Sequence, residues 1–99
     1  MGDGEHHLSK QMGYSHAEFR RTLPAAVRPF RILEKGDDFE LSDSAGHAVR
    51  IELGPEGMRQ IASLQIPTTA VDFHFQNFSS EERKHFMDRF NRYFQRGGG

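Results

Sequence analysis

At 99 residues, 35% hydrophobic and 27% charged, the chain suffices for one domain with a single modest core and is too short for two. A formal net charge of −1 excludes a molecule-wide field that would by itself draw in nucleic acid or an anionic membrane. With no cysteine there is no disulfide, no thiolate metal site and no thiol nucleophile.

The opening MGDGEHHLSK has neither a basic region nor an apolar run. No window approaches the ~20 apolar residues that a membrane span needs. A cytoplasmic protein with no membrane association is expected. Gly2 follows Met1, but His6 stands where a myristoylation signal has Ser or Thr. Residues 1–13 are polar and aperiodic, which predicts a disordered N-terminal arm. A single α+β domain is expected over 14–96 and a flexible glycine end over 97–99.

Ser15 and Glu18 fit a capping box, with Tyr14 and Phe19 placed as a hydrophobic staple, so a helix starts there. Pro24 disfavours helical geometry at Leu23 and removes a donor, which predicts a stop near Thr22 and a second short turn from Pro24 through Val27.

Strands follow with legible registers. Gly36-Asp37 suits a two-residue type II′ hairpin that sets Ile32 opposite Leu41 and Glu34 opposite Phe39. A three-residue loop, Ser44-Ala45-Gly46 with Gly46 left-handed, sets Phe39 opposite Ile51, Leu41 opposite Val49 and Glu40 opposite Arg50. Gly54 to Gly57 reads as a plain turn. Over 59–66 two periods compete: Met58, Ile61 and Ala62 have helical spacing, whereas Ala62, Leu64 and Ile66 alternate. The β-branched residues and Pro67 favour a strand. Pro67-Thr68-Thr69 is expected to turn into TAVDFHFQ, where Val71, Phe73 and Phe75 face one side and Asp72, His74 and Gln76 the other.

Ser79 and Glu82 form a second capping box. In the helix after it, Phe86, Met87, Phe90, Tyr93 and Phe94 fall within an arc of about 120°. Burying that seam contributes ~10 kcal/mol before entropy is subtracted. The predicted fold is therefore α+β: a mostly antiparallel four- or five-stranded meander sheet, an N-terminal helical segment, and a long C-terminal amphipathic helix packed on one face. The other face is left for the N-terminal helix or a second copy of the chain to cover.

Chemistry is sparse. The serines occupy caps and a turn, and no nucleophile elbow or phosphate-binding glycine loop occurs, so no catalytic residues and no cofactor are expected. Asp72 and His74 project together from the last strand, and Glu82 and His85 make one E-x-x-H step. Asp72, His74 and His85 are thus weak metal candidates, short of the two steps and further glutamates of a di-iron bundle. His85, Arg89, Arg92 and Arg96 lie within about 60° on the last helix beside Tyr93, a surface suited to a partner or to nucleic acid. Gly97-Gly98-Gly99 resembles the diglycine end of ubiquitin-like and sulfur-carrier proteins, though here it follows a helix instead of a strand. The expected function is a non-catalytic protein-interaction or accessory module that binds a protein partner or itself. Nucleic-acid binding through the arginine flank and a metal-dependent activity at Asp72, His74 and His85 are the alternatives.

Overall fold

A computed structural model describes residues 5–95. Along the chain run β1 (Glu5–Met12), α1 (His16–Ala26), β2 (Arg31–Lys35), β3 (Asp38–Ser42), β4 (Ala48–Ile61), β5 (Leu64–Gln76) and α2 (Ser80–Tyr93). The strands form one antiparallel sheet in the order β1-β5-β4-β3-β2. Both helices lie on the same face, so the class is α+β.

Local chemistry accounts for several boundaries. Each helix opens on its capping box: Glu18 N–H donates to Ser15 Oγ and Ser15 N–H to Glu18 Oε1, and Ser79 and Glu82 repeat the exchange. Gly36 at φ +62° and Gly46 at φ +93° supply the left-handed residues of the two tight turns. The expected registers follow: Ile32 faces Leu41, Glu34 faces Phe39, Phe39 faces Ile51 and Leu41 faces Val49.

The core lies between the sheet and the two helices. Phe39, Leu41, Val49, Ile51, Val71, Phe73 and Phe75 point from the sheet to Phe19 and Leu23 of α1 and to Phe86 and Phe90 of α2. The rings of Phe90 and Phe94 stack 4.3 Å apart, Phe73 meets Phe90 edge-on at 5.0 Å, and Phe19 lies 5.0 Å from Phe94. Tyr93, expected in the seam, is 44% exposed because its position on α2 turns it toward Arg89 instead of the sheet.

Five expectations need correction. Residues 5–12 of the expected disordered arm are edge strand β1, running from Glu5 opposite Gln76 to Met12 opposite Thr69. The ladder to β5 satisfies their backbone, and Leu8 and Met12 pack on the core. The folded unit thus begins by Glu5 and not at residue 14. α1 continues through Pro24 to Ala26, since Leu23, Ala26 and Val27 are buried while Pro24 stands on the wet side. The turn at Gly54 to Gly57 is instead a bulge inside β4, between Leu53 and Glu56. Pro67 is likewise inside β5, opposite Met58, and the actual turn is Ala62-Ser63. Finally, α1 lies beside α2 and does not cover the open face. α1 has 11 residues and α2 has 14; Arg96 and Gly97–Gly99 lie outside the described residues.

Phe90→Ala is expected to cost about 3–5 kcal/mol, a large part of the stability of a domain this size, while Tyr93→Ala costs under about 1 kcal/mol. Urea denaturation of both variants checks this. Equal costs would mean that α2 is turned differently on the sheet.

Candidate functional site

The arginine flank of α2 is divided. Arg89 leans back toward α1: its guanidinium lies 5.3 Å from the Tyr93 ring centre, and Nη2 donates to the Ala25 carbonyl at 3.4 Å. Its Nε is buried with no hydrogen-bond partner, the one such side-chain atom among the described residues. His85 shares a cleft with Arg89, whereas Arg92 borders a separate groove beside Asp88 and Asn91. Arg96, the fourth base of the expected stripe, lies outside the described residues.

The three weak metal candidates are not brought together. Asp72 and His74 stand on the open face of the sheet, and His85 is on α2, beyond the core. His7 Nε2 lies 3.0 Å from Asp72 Oδ1, and His74 Nε2 lies 3.1 Å from Glu52 Oε1. The hydrogen bond from Ser9, with that of His7, holds the Asp72 carboxyl below the usual carboxylate range. The two imidazoles stack in parallel, 4.5 Å apart and 2° from coplanar, so their in-plane lone pairs do not converge. Among the described residues no three His, Cys, Asp or Glu side chains are placed to hold a metal ion. Where β1 to β5 pair side by side the open face is polar, and Leu33 of β2 is the one exposed large apolar side chain on it among the described residues.

A cleft of about 560 Å³ opens where the end of α1, the β3–β4 loop and the start of α2 meet. Phe30, Phe78 and Phe86 form its floor, with Phe30 and Phe78 stacked and Phe86 edge-on to both. His47 closes one side, joining the loop to the helix: Nδ1 lies 2.8 Å from Asp43 Oδ2 and Nε2 lies 3.2 Å from Glu82 Oε2. Only the doubly protonated ring donates to both oxygens. The hydrogen bond to Asp43, with that to Glu82, raises the His47 pKa despite partial burial. Burial pushes Asp43 up, but hydrogen bonds from the His47 ring and backbone outweigh it and hold that carboxyl low. Glu82 is lowered first by the Ser79 N–H and then by His47.

The most exposed apolar feature is the far end of the β4–β5 hairpin. The last β3 partner of β4 is Glu52 and the last β1 partner of β5 is Thr69, so Glu56 to Ile61 and Leu64 to Thr68 form a two-stranded arm beyond the sheet. The molecule is correspondingly elongated, 48 × 26 × 23 Å. Met58 is 61%, Ile61 47% and Leu64 63% exposed, with Ile61 directly opposite Leu64. The arm is anchored at its base. His16 Nε2 lies 2.7 Å from the Gly54 carbonyl in the bulge, His16 N–H donates to Glu56 Oε1, and buried Thr69 Oγ1 donates to the Tyr14 carbonyl.

Sequence reasoning missed the arm and the His47 clasp. Ile61 and Leu64 flanking a two-residue turn were a signal for the first, masked by the helical spacing of Met58, Ile61 and Ala62. The second depends on bringing the β3–β4 loop to the start of α2, which no local pattern encodes. Compared with known proteins, the chain matches no protein-family model, no curated protein and no solved structure. Among the described residues no helix is long and apolar enough to cross a membrane.

The clasp predicts a pH dependence. Because the folded His47 pKa is raised, its stabilisation is complete below the ordinary value of 6.5 and is lost as pH rises through the folded value. The lowered carboxylates act in the opposite sense, losing their contribution as pH falls through their folded values. The destabilisation caused by His47→Gln should therefore be larger at about pH 6 than at about pH 8, measured by urea denaturation. A penalty that does not change with pH would show that the clasp is unmade in solution.

Proposed function

We propose that the protein is a non-catalytic interaction module that associates with a second copy of itself through the β4–β5 arm. The observation that carries this reading is the exposure of Met58, Ile61 and Leu64 on a ribbon that, among the described residues, has no third strand on either side. An isolated two-stranded ribbon is marginal in water, and three large apolar side chains in solvent forgo about 1.5–3 kcal/mol each of burial. A partner along the arm recovers both terms.

A second copy suits the arm for two reasons. The arm has one acid, Glu56, and one base, Arg59, so it offers no net charge by which to select a strongly charged partner. At ~3.3 Å per residue it is only about 17–20 Å long, and a two-fold contact in which each arm lies on the other doubles the area, toward the ~1,000 Å² of a specific interface. The open sheet face, being polar and internally paired, supports the same function less well. Nucleic-acid binding through α2 is also less well supported, since Arg89 is turned inward and Arg92 stands beside Asp88.

Size-exclusion chromatography with light scattering is expected to show a concentration-dependent dimer. The double substitution Ile61→Glu and Leu64→Glu should convert it to a folded monomer, because both side chains are exposed and leave the core untouched. A wild-type protein that stays monomeric at every concentration, or a variant that dimerises equally well, would refute the reading.

A further inference from the structure

The cleft at the end of α1 has an unusual balance of charges. Asp43 and Glu82 are committed to His47. Among the described residues Arg28, Glu81 and His85 make no side-chain hydrogen bond or ion pair. Among the described residues, the charged groups around the opening without an oppositely charged partner are therefore two guanidiniums, Arg28 and Arg89, and a single carboxylate, Glu81, with the His85 ring beside them. Arg89 is the more telling of the two arginines. It has a buried Nε without an acceptor, and its one hydrogen bond, to the Ala25 carbonyl, is long at 3.4 Å. A buried cationic donor without an acceptor costs more than almost any other unmade polar contact. Beside it lies a floor of three phenylalanine rings, of which Phe30 is only partly buried.

We propose that this cleft binds a small organic carboxylate with an aromatic or branched apolar body. The body lies against Phe30, Phe78 and Phe86, and the carboxylate reaches the Arg89 guanidinium, with Arg28 at the rim. A volume of about 560 Å³ lies within the range of small-ligand pockets. An arginine fork pairs well with a planar carboxylate, and the low polarity of the floor strengthens that pair. A cationic ligand would meet two arginines and a single uncommitted acid, Glu81, because Asp43 and Glu82 are already paired with His47. The His47 clasp sets the width of the cleft, because it ties the β3–β4 loop to the first turn of α2.

The test is an amide-resolved NMR titration of the whole chain with phenylbutyrate, and in parallel with phenylbutanol, which has the same ring and chain without the charge. Phenylbutyrate is expected to shift the amides of Val27, Phe78, Phe86 and Arg89, and to bind about tenfold more tightly than the alcohol. Arg89→Gln should remove that preference while leaving residual binding of both. As Arg89 borders the core, Arg28→Gln, at an exposed position, provides a second variant that keeps the fold and reduces the preference severalfold. Equal affinity for acid and alcohol, or shifts concentrated elsewhere, would overturn the proposal. The Ile61→Glu, Leu64→Glu variant should bind phenylbutyrate as the wild type does. Loss of binding there would show that the ligand site requires the associated form and overturn a site contained in this cleft, whereas unchanged binding in a monomeric wild type would reject the arm reading alone.

Discussion

Phe90 is the side chain on which the sheet and both helices converge. It stacks on Phe94, receives the edge of Phe73 from β5 and lies 6.1 Å from Phe19 of α1. Because both helices take their cover from the same sheet face, the domain has a single interior, and every other surface follows from that one-sidedness. Residues on the opposite face stay wet, so His7 pairs with Asp72 there, and Glu52 with both Arg50 and His74. Such a face is stable without a partner.

The same constraint explains the arm. Strands β4 and β5 outrun both neighbours, and the bulge between Leu53 and Glu56 shifts the alternation where the helices no longer reach. Past that point Met58, Ile61 and Leu64 stand in solvent. His16, at the first turn of α1, binds both the Gly54 carbonyl and, through its backbone, Glu56, which fixes the direction in which the ribbon leaves the sheet. One turn further along α1, Arg20 pairs with Glu34 and Asp37 and donates to the Gly36 carbonyl, tying α1 to the β2–β3 turn. α1 thus braces this one end of the sheet, where His16 Nδ1 also lies 3.7 Å from Asp37 Oδ1.

At the other end of the molecule, polarity is arranged around the cleft. The β3–β4 loop is folded by Asp43, which accepts from the Ala45 and His47 N–H groups before its second oxygen takes the His47 ring. Glu82 has two duties, capping α2 and holding His47, so the loop and the helix start are one electrostatic unit. With those acids committed, the cations left over are the ones that face the apolar floor. The arrangement follows from spending carboxylates on structure and leaving arginines unspent.

By itself the sequence determined what short-range backbone chemistry controls. Serine and glutamate three apart capped each helix, glycines at positive φ closed the tight turns, and the alternation of Phe39, Leu41, Val49 and Ile51 set the registers around them. Those signals lie within a few residues of the feature they produce. Tertiary structure alone decided the rest. A polar segment became β1 because β5, 57 to 71 residues away, offered an unpaired edge. Pro24 stayed in a helix because the face across from it was buried, and Gly54 became a bulge instead of a turn because β4 and β5 kept pairing beyond it. The split of the arginine flank, the His47 clasp and the bare tip of the arm belong to this second group. Each depends on which distant backbone or ring a side chain meets, and periodicity carries no record of that.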